Sequence, residues 1–251
     1  ERVRDLLVSL GLQEIVTYSL TSPEREARMV VDPLTDARSD YVRLANPIVI
    51  DRVVMRQALL PGLLDIASAN ARHADRLALF EIGPVYLPVA DAVLPDEPVR
   101  LSLVLAGPRS ASGWQPADRE PVDFFDLKGT IEALLHALHL RDAAFVAGEH
   151  PSLTPGRSAQ LTINGQAAGW LGELHPAVAA RFDLASRALV AELDLTAITA
   201  SASDRHPVSP VPSYPPVKED LAVIVDEGVA AVQVADVIRR AGGALVGSVS
   251  L

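Results

Sequence analysis

The sequence predicts an α+β fold, and three observations support this prediction. Apolar residues recur at helical spacing from Asp126 to Leu140, which predicts a long helix with one buried face. Asn164-Gly165 separates two apolar segments and predicts a tight antiparallel hairpin, because both residues accept positive φ angles. Helices and strands do not alternate as repeated β-α-β units. An antiparallel sheet flanked by helices is therefore expected.

The first elements follow from periodicity and breakers. Apolar residues from Val3 to Leu10 fall at i, i+3, i+4 and i+7, which predicts a helix that Gly11 ends. β-Branched and aromatic residues from Glu14 to Leu20 predict a strand. Ser22 is then typical of a helix N-cap and Pro23 of a first helical residue.

The middle of the chain carries three predicted strands and a helix. Tyr41 to Leu44 predicts a short strand that Asn46-Pro47 closes, and Pro61 is expected to begin a helix. Leu77 to Ile82 and Leu101 to Ala106 predict longer strands. Proline and acidic residues between these two strands predict a loop.

The last part differs in composition from the rest. Ala188 to Leu193 predicts another strand, and the prolines that follow fix φ and lack a backbone donor, which predicts a semi-rigid linker. Beyond it, apolar residues alternate from Leu221 to Val225 as in a strand, and Val234 to Arg240 is expected to be helical.

These elements divide the chain into a core domain over residues 1–205, a linker over 206–216 and a further unit over 217–251. A unit of roughly 35 residues cannot bury a core of its own, so it is expected to be incomplete. The chain begins at Glu1 inside an amphipathic segment, so it is expected to be a piece of a longer protein.

Composition excludes several classes of protein. Of 251 residues, 49% are hydrophobic and 22% charged, which is typical of a folded globular chain. The absence of cysteine excludes disulfide scaffolds, thiol catalysis and Cys-ligated zinc. Neither an apolar stretch of membrane-spanning length nor a signal-peptide pattern occurs, so a cytoplasmic location without membrane contact is expected. The net charge of −10 disfavours a stand-alone nucleic-acid binder.

Some polar residues allow both a chemical and a structural interpretation. His136 and His139 are spaced to share a metal, but no acidic third ligand accompanies them, so we expect no metal site. Asp123 and Asp126 form a candidate acid–base pair, yet carboxylates at a helix start more simply cap free N–H groups. Lys128 is a candidate phosphate contact but more simply a solvated helix lysine.

Two further segments are candidates for anion binding or reactive chemistry. Gly156-Arg157 offers backbone donors and a guanidinium to an anion, although a structural arginine is favoured. Glu173 and His175 lie at a strand end, where Pro176 more simply starts a helix. Phosphate-loop, zincin and serine-hydrolase motifs do not occur.

Seven short motifs occur in an order that resembles the beta subunit of bacterial phenylalanyl-tRNA synthetases. They extend from about Leu10 to Leu195, and they read as follows: Leu10-Gly11-Leu12-Gln13-Glu14 through Thr17-Tyr18-Ser19, Leu44-Ala45-Asn46-Pro47-Ile48, Val54-Met55-Arg56-Gln57-Ala58-Leu59-Leu60-Pro61-Gly62-Leu63-Leu64, Leu79-Phe80-Glu81-Ile82-Gly83, Asp123-Phe124-Phe125-Asp126-Leu127-Lys128-Gly129, Pro155-Gly156-Arg157-Ser158-Ala159 and Gly172-Glu173-Leu174-His175-Pro176. Residues from Tyr214 to Val225 resemble the opening of the ferredoxin-like anticodon-binding module of that family.

The resemblance implies a class II synthetase-like core that has lost catalysis. The sequence has no Phe-Thr-Glu-Pro-Ser stretch and no closing Gly-x-Gly-x-x-Arg, and Glu81 lacks the adjacent arginine of an Arg-x-Glu motif. Adenylate formation needs fixed positive charge on the triphosphate, so these absences predict no catalytic residue in this chain. By resemblance, Asp126, Lys128, Gly156, Arg157, Glu173 and His175 are structural motif residues.

The resemblance also implies partners. The catalytic alpha subunit would bind this chain, and Met55, Arg56, Pro61 and Leu64 are candidate interface residues because the segment from Met55 to Leu64 is densely apolar. No cofactor is expected in this chain; the holoenzyme would use ATP and magnesium to charge tRNA(Phe). Lys218, Arg239 and Arg240 are candidate tRNA contacts, although a helix C-terminus alone favours the two arginines.

Two positions depart from the family pattern. Thr154 replaces a histidine, and Glu219 replaces an arginine, which weakens the expected tRNA contact in the last unit. Two other hypotheses remain open: a stand-alone RNA-binding or regulatory paralogue, and an active adenylating enzyme of class II type. Self-association of the chain also remains open.

Overall fold

A computed structural model describes residues 1–32, 40–140, 142–184, 187–203, 205, 208, 211 and 213–250. The chain divides into two compact units, Glu1–His206 and Pro207–Leu251. Much of the predicted linker over 206–216, including Pro207, Pro210 and Pro212, lies outside the described residues.

The described part of the first unit contains six α-helices and nine strands. The helices are α1 Arg2–Ser9, α2 Pro23–Ala27, α3 Leu60–Asn70, α4 Phe124–Ala137, α5 Pro176–Arg181 and α6 Leu195–Ser201. The strands are β1 Gln13–Glu14, β2 Leu20–Thr21, β3 Val54–Met55, β4 Leu77–Pro84, β5 Val99–Ala106, β6 Ala143–Ala147, β7 Leu153–Ile163, β8 Gln166–Leu174 and β9 Ala188–Asp194.

Seven of these strands form one sheet in the order β1-β4-β5-β9-β8-β7-β6. Strand β1 pairs parallel with β4, and every other neighbouring pair is antiparallel. Strands β2 and β3 form a separate antiparallel pair. The α+β prediction is confirmed, and the parallel edge strand makes the sheet mixed.

Helices cover both faces of this sheet. On one face, α1, α4 and α6 pack against a core that includes Leu7, Ile131 and Ile198. On the other face, α3 and α5 pack against a second core that includes Leu64 and Val178. Burial on both sides explains why β4, β5 and β9 read as nearly continuous apolar runs rather than as alternating ones.

The predicted hairpin and helix starts form as the local chemistry requires. Asn164 and Gly165 have φ angles of 52° and 76°, and they join β7 to β8 in antiparallel pairing. Ser22 caps α2, where its hydroxyl accepts from the Arg25 N–H, and Pro23 is the first helical residue. These predictions are confirmed.

Two predicted strands are shorter in the structure. From Glu14 to Leu20 the chain forms β1 and then leaves the sheet, because the Thr17 N–H donates to the Glu81 carboxylate at 3.1 Å instead of to a strand. Between Tyr41 and Leu44 the structure has an isolated bridge from Arg43 to Val54 rather than a strand.

In the second unit, helix α7 covers Ala231–Gly242 and a 3-10 turn follows at Gly243–Leu245. The predicted helix is confirmed, whereas the predicted strand from Leu221 to Val225 is wrong, since this segment has no strand pairing. Its apolar side chains are at least half exposed. A strand needs a neighbour for its backbone groups, and none of the described residues supplies one. A ferredoxin-like unit is therefore not confirmed.

Gly107, which directly follows β5, is the position in the first unit most restricted to glycine. Its φ angle is +87°, and an added Cβ would lie 1.8 Å from the backbone oxygen of Asp75. We expect Gly107→Ala to lower the free energy of unfolding by about 2 kcal/mol or more, measured by urea denaturation. Gly113→Ala is the matched control, since its Cβ would meet nothing within 4 Å. Equal losses in the two variants would contradict this explanation.

Candidate functional site

A cleft of about 270 Å³ opens between the β1–β2 connection and the N-terminal end of α3. Its lining comes from two regions of the sequence, residues 16–26 and 52–66. The lining residues are Val16, Thr17, Tyr18, Leu20, Thr21, Arg25, Glu26, Arg52, Arg56, Ala58, Leu59, Pro61, Gly62, Asp65 and Ile66.

A buried ion pair lies beside this cleft. The Arg56 Nη1 donates to Glu81 Oε1 at 2.7 Å, and the two side chains are 6% and 1% exposed. Thr17 joins them, because its hydroxyl donates to Glu81 Oε2 at 2.7 Å and accepts from Arg56 Nη1 at 3.0 Å. The Arg56 Nε donates to the Pro84 carbonyl at 3.0 Å. Three segments are thus held together by charge-assisted hydrogen bonds.

The local sequence makes room for this pair. Glu81 lies on β4, and Gly83 follows it two residues later on the same strand. A Cβ added to Gly83 would lie 2.4 Å from Arg56 Nη2. Glycine at that position lets the guanidinium lie against the strand. Two separate sequence motifs, Val54-Met55-Arg56 and Phe80-Glu81-Ile82-Gly83, therefore meet in one contact.

A second carboxylate, Glu192 on β9, holds the start of α3. Its Oε2 accepts from the N–H groups of Leu59 and Leu60 at 3.0 and 3.1 Å, and from the Ser102 hydroxyl at 2.9 Å. Burial raises the pKa of Glu192, against the lowering effect of these hydrogen bonds. A tertiary contact therefore replaces the local N-cap that Leu59 cannot provide.

The predicted interface residues lie around this cleft, but most are inside the chain. Arg56, Pro61 and Leu64 are buried, and Met55 is partly buried. Leu64 belongs to the core under α3. These buried side chains pack beneath the surface around the cleft, so a contact with another protein would be made by other, exposed residues.

Exposed apolar side chains occur in the β1–β2 connection and in the loop before Arg52. Val16 and Tyr18 are 84% and 70% exposed, and Arg52 stacks over the Tyr18 ring at 3.8 Å. Ile48 and Ile50 are fully or almost fully exposed at the tip of the loop before Arg52. We call these four apolar residues the loop surface: Val16, Tyr18, Ile48 and Ile50.

The motif residues at the start of α4 are structural in this geometry. Asp123 and Asp126 form a capping box, so the capping interpretation is confirmed. Arg109 binds both carboxylates, at 2.8 Å and 3.0 Å. Lys128 pairs with Glu132 one turn later.

The motif residues near the end of β8 also have structural contacts. Gly156, with a φ angle of +74°, lies in an irregular part of β7, and Arg157 binds Glu173 at 2.9 Å. His175 caps α5, where its Nδ1 accepts from the Ala177 N–H at 3.1 Å. Pro176 begins that helix as expected.

In the second unit the basic candidates are exposed. Arg239 pairs with Asp236 at 2.8 Å, and the Arg240 Nε donates to the Asp236 carbonyl at 3.2 Å. Lys218 lies in a segment without regular structure. Among the described residues, no group of three or more His, Asp or Glu side chains could hold a metal ion.

Sequence reasoning missed Thr17, Glu192 and the loop surface. Glu192 had a signal, since it is the one charged residue within the apolar run from Ala188 to Leu193. Thr17 belongs to one of the family motifs, but the motif does not predict its contact, because that contact depends on a partner 64 residues away. The exposure of Ile48 and Ile50 likewise follows from the position of their loop.

The fold is that of the class II aminoacyl-tRNA synthetases. Two solved structures of pyrrolysyl-tRNA synthetase from Desulfitobacterium hafniense superpose with TM-scores of 0.59 and 0.60 at 17% and 16% identity. Each match covers 78% of this chain and 63% or 65% of the other. No helix among the described residues combines the length and apolar character needed to cross a membrane.

The chain belongs to the phenylalanyl-tRNA synthetase beta chain family. The family model described as "Phenylalanyl tRNA synthetase beta chain CLM domain" matches residues 1–195. Phenylalanine–tRNA ligase beta subunits of Symbiobacterium thermophilum, Geobacillus kaustophilus and Bacillus subtilis are 43%, 38% and 35% identical. These matches cover 99–100% of this chain but only 28–30% of each relative. The resemblance read from the motifs is confirmed.

The buried pair gives a first prediction for this site. We expect Arg56→Met to lower the free energy of unfolding by about 3–5 kcal/mol, because it leaves the Glu81 carboxylate buried without its cation. The double variant Arg56→Met/Glu81→Met should recover part of this loss in urea denaturation. Lys128→Ala, which breaks an exposed pair, should change stability by less than about 1 kcal/mol. Equal losses in Arg56→Met and Lys128→Ala would contradict the assignment.

Glu192 gives a pH-dependent prediction. Its folded-state pKa lies above the ordinary 4.5, so the folded protein binds this proton more tightly and stability falls as pH rises through that window. Glu192→Gln keeps an oxygen for Ser102 and α3 but cannot ionise. We expect Glu192→Gln to have a higher Tm than the wild type near neutral pH. Below the ordinary pKa of a glutamate, the two proteins should have the same Tm. A Tm difference that does not change with pH would contradict this.

Proposed function

We propose that this chain is a non-catalytic part of a phenylalanine–tRNA ligase beta subunit and that it binds the catalytic alpha subunit. The observation that carries the proposal is the loop surface, in which Ile48 and Ile50 are 100% and 95% exposed and Val16 and Tyr18 are 84% and 70% exposed. Large exposed apolar patches mark protein interaction sites, and these side chains are candidates for one. Tyr18 and Arg52 add the aromatic and arginine side chains that are enriched in protein interfaces.

The contacts of Glu81 support the non-catalytic assignment. Both carboxylate oxygens accept hydrogen bonds from within the chain, and Arg56 supplies their positive charge. Arg56 itself is held by the same contacts and by the Pro84 carbonyl. The Arg56 guanidinium is therefore not available to neutralise a triphosphate, which is what adenylate formation requires.

Within this proposal, the holoenzyme joins phenylalanine to tRNA(Phe) with ATP and magnesium, and the alpha subunit does the chemistry in the cytoplasm. Residues 1–205 are then the synthetase-like core, 206–216 a linker and 217–251 the beginning of an anticodon-binding domain. Lys218, Arg239 and Arg240 would contact the tRNA from that last unit.

The alpha-subunit contact is tested by coexpression and copurification. We expect Ile48→Asp/Ile50→Asp to weaken association at least about tenfold, because charge replaces two exposed interface anchors without a change in the core. Val146→Asp is the matched control, since Val146 is 51% exposed on β6, at the opposite edge of the sheet from β1. Undiminished association of the folded double variant would overturn the proposal.

A further inference from the structure

A second cleft, away from the loop surface, has a distinct charge pattern. It has a volume of about 430 Å³ and lies where β5 ends and β9 begins. Its lining consists of Gly107, Pro108, Arg119, Pro121, Val122 and Arg187. Two guanidinium groups thus lie among prolines and a valine, with no acidic side chain in the lining.

Arginines around this cleft take part in exposed ion pairs. Arg187 Nε and Arg157 Nη1 bind the same carboxylate, Glu173, at 3.3 and 2.9 Å. Arg119 binds Asp75 at 2.6 Å, and its Nη1 donates to the Ser110 carbonyl at 3.1 Å. The two acidic neighbours of Arg119 in the sequence are Asp118 and Glu120. Within the described part of the chain, the terminal nitrogens of Arg187 have no hydrogen-bond partner.

An exposed aromatic residue lies close to the same cleft. Trp114 is 92% exposed in the loop that follows β5. The Ser112 hydroxyl, two residues away, accepts from Arg119 Nη1 at 3.0 Å and donates to Asp75 at 3.1 Å. Two residues span at most about 7 Å, so the Trp114 backbone lies within that distance of the Ser112 backbone, whose side chain binds Arg119. An exposed tryptophan ring in this loop is available to stack on a base.

We propose that this cleft binds RNA, with a phosphate between Arg119 and Arg187 and a neighbouring base stacked on Trp114. Arginine forks match phosphate oxygens, and a tryptophan face stacks on any base. The inference rests on the proposed function, in which the partner is a tRNA, and it adds a contact in the core unit to those proposed for the last unit.

The two tryptophans allow a direct test. Trp170 is partly buried and stacks on His150 at 3.9 Å, so Trp170→Phe leaves Trp114 as the only tryptophan. Titration of this full chain with an unstructured oligoribonucleotide should quench Trp114 fluorescence to saturation. Arg187→Ala should raise the apparent Kd about fivefold and lower the salt slope by about one. Trp114→Ala removes the fluorophore, so its RNA binding is measured by fluorescence anisotropy with labelled RNA. We expect this variant to raise the apparent Kd about tenfold.

Two matched variants separate this cleft from other surfaces. Arg4→Ala removes a partly buried arginine that pairs with Glu14, and Tyr18→Ala removes an exposed aromatic of the loop surface. Neither should change RNA binding. If Arg4→Ala weakens RNA binding as much as Arg187→Ala, the contact depends on general charge and the proposal is wrong.

Titrations with different ligands distinguish binding of an RNA strand from binding of a free nucleotide. In the same titration, adenosine monophosphate and inorganic phosphate should each bind at least about tenfold more weakly than the oligoribonucleotide. Equal binding of the mononucleotide, or no quenching by RNA, would overturn the proposal. Quenching by the alpha subunit without RNA would overturn it too, because Trp114 would then be a protein contact. Copurification with the alpha subunit is measured separately, so failure here leaves the result for Ile48 and Ile50 intact.

Discussion

The buried contact between Arg56 and Glu81 is the constraint on which the arrangement of the first unit depends. An unpaired charge at this depth would cost several kcal/mol, so the pair and Thr17 must form together. This requirement fixes the β1–β2 connection, the start of α3 and the end of β4 relative to one another. The loop that carries Ile48 and Ile50 is closed at its base, where Arg43 bridges Val54 and the Leu44 N–H donates to the Val53 carbonyl at 3.0 Å.

Helices cover both faces of the large sheet at β4, β5 and β9, whereas β6 and β7 keep exposed side chains. The two cores lie under α4 on one side and under α3 on the other. The features with unused binding capacity lie at the margins instead, in the loop surface and in the cleft of Arg119 and Arg187. This distribution is the basis of the proposal that the chain binds partners at its margins.

Carboxylates in this chain mostly hold helix starts and arginines. Asp123 and Asp126 cap α4 while Arg109 binds both, and Glu192 holds α3 from a strand. Negative charge is favourable at helix N-termini, so these groups stabilise the fold. Near Glu173 arginines outnumber carboxylates, because this one carboxylate binds both Arg157 and Arg187. Local charge, rather than the net charge of −10, decides where an anion is attracted.

The sequence by itself determined the features that depend on neighbouring residues. The cap at Asp123, the turn at Asn164-Gly165, the apolar strands of the sheet and the family motifs are all local patterns, and each has the predicted form. Tertiary structure alone decided that Arg56 and Leu64 are buried, that Thr17 leaves the sheet and that Glu192 supplies the missing cap of α3. Each of these depends on a partner distant in sequence, as with Glu192 and Leu59, 133 residues apart. Local pattern records which side chains prefer burial or pairing, but only the folded chain selects which of them meet.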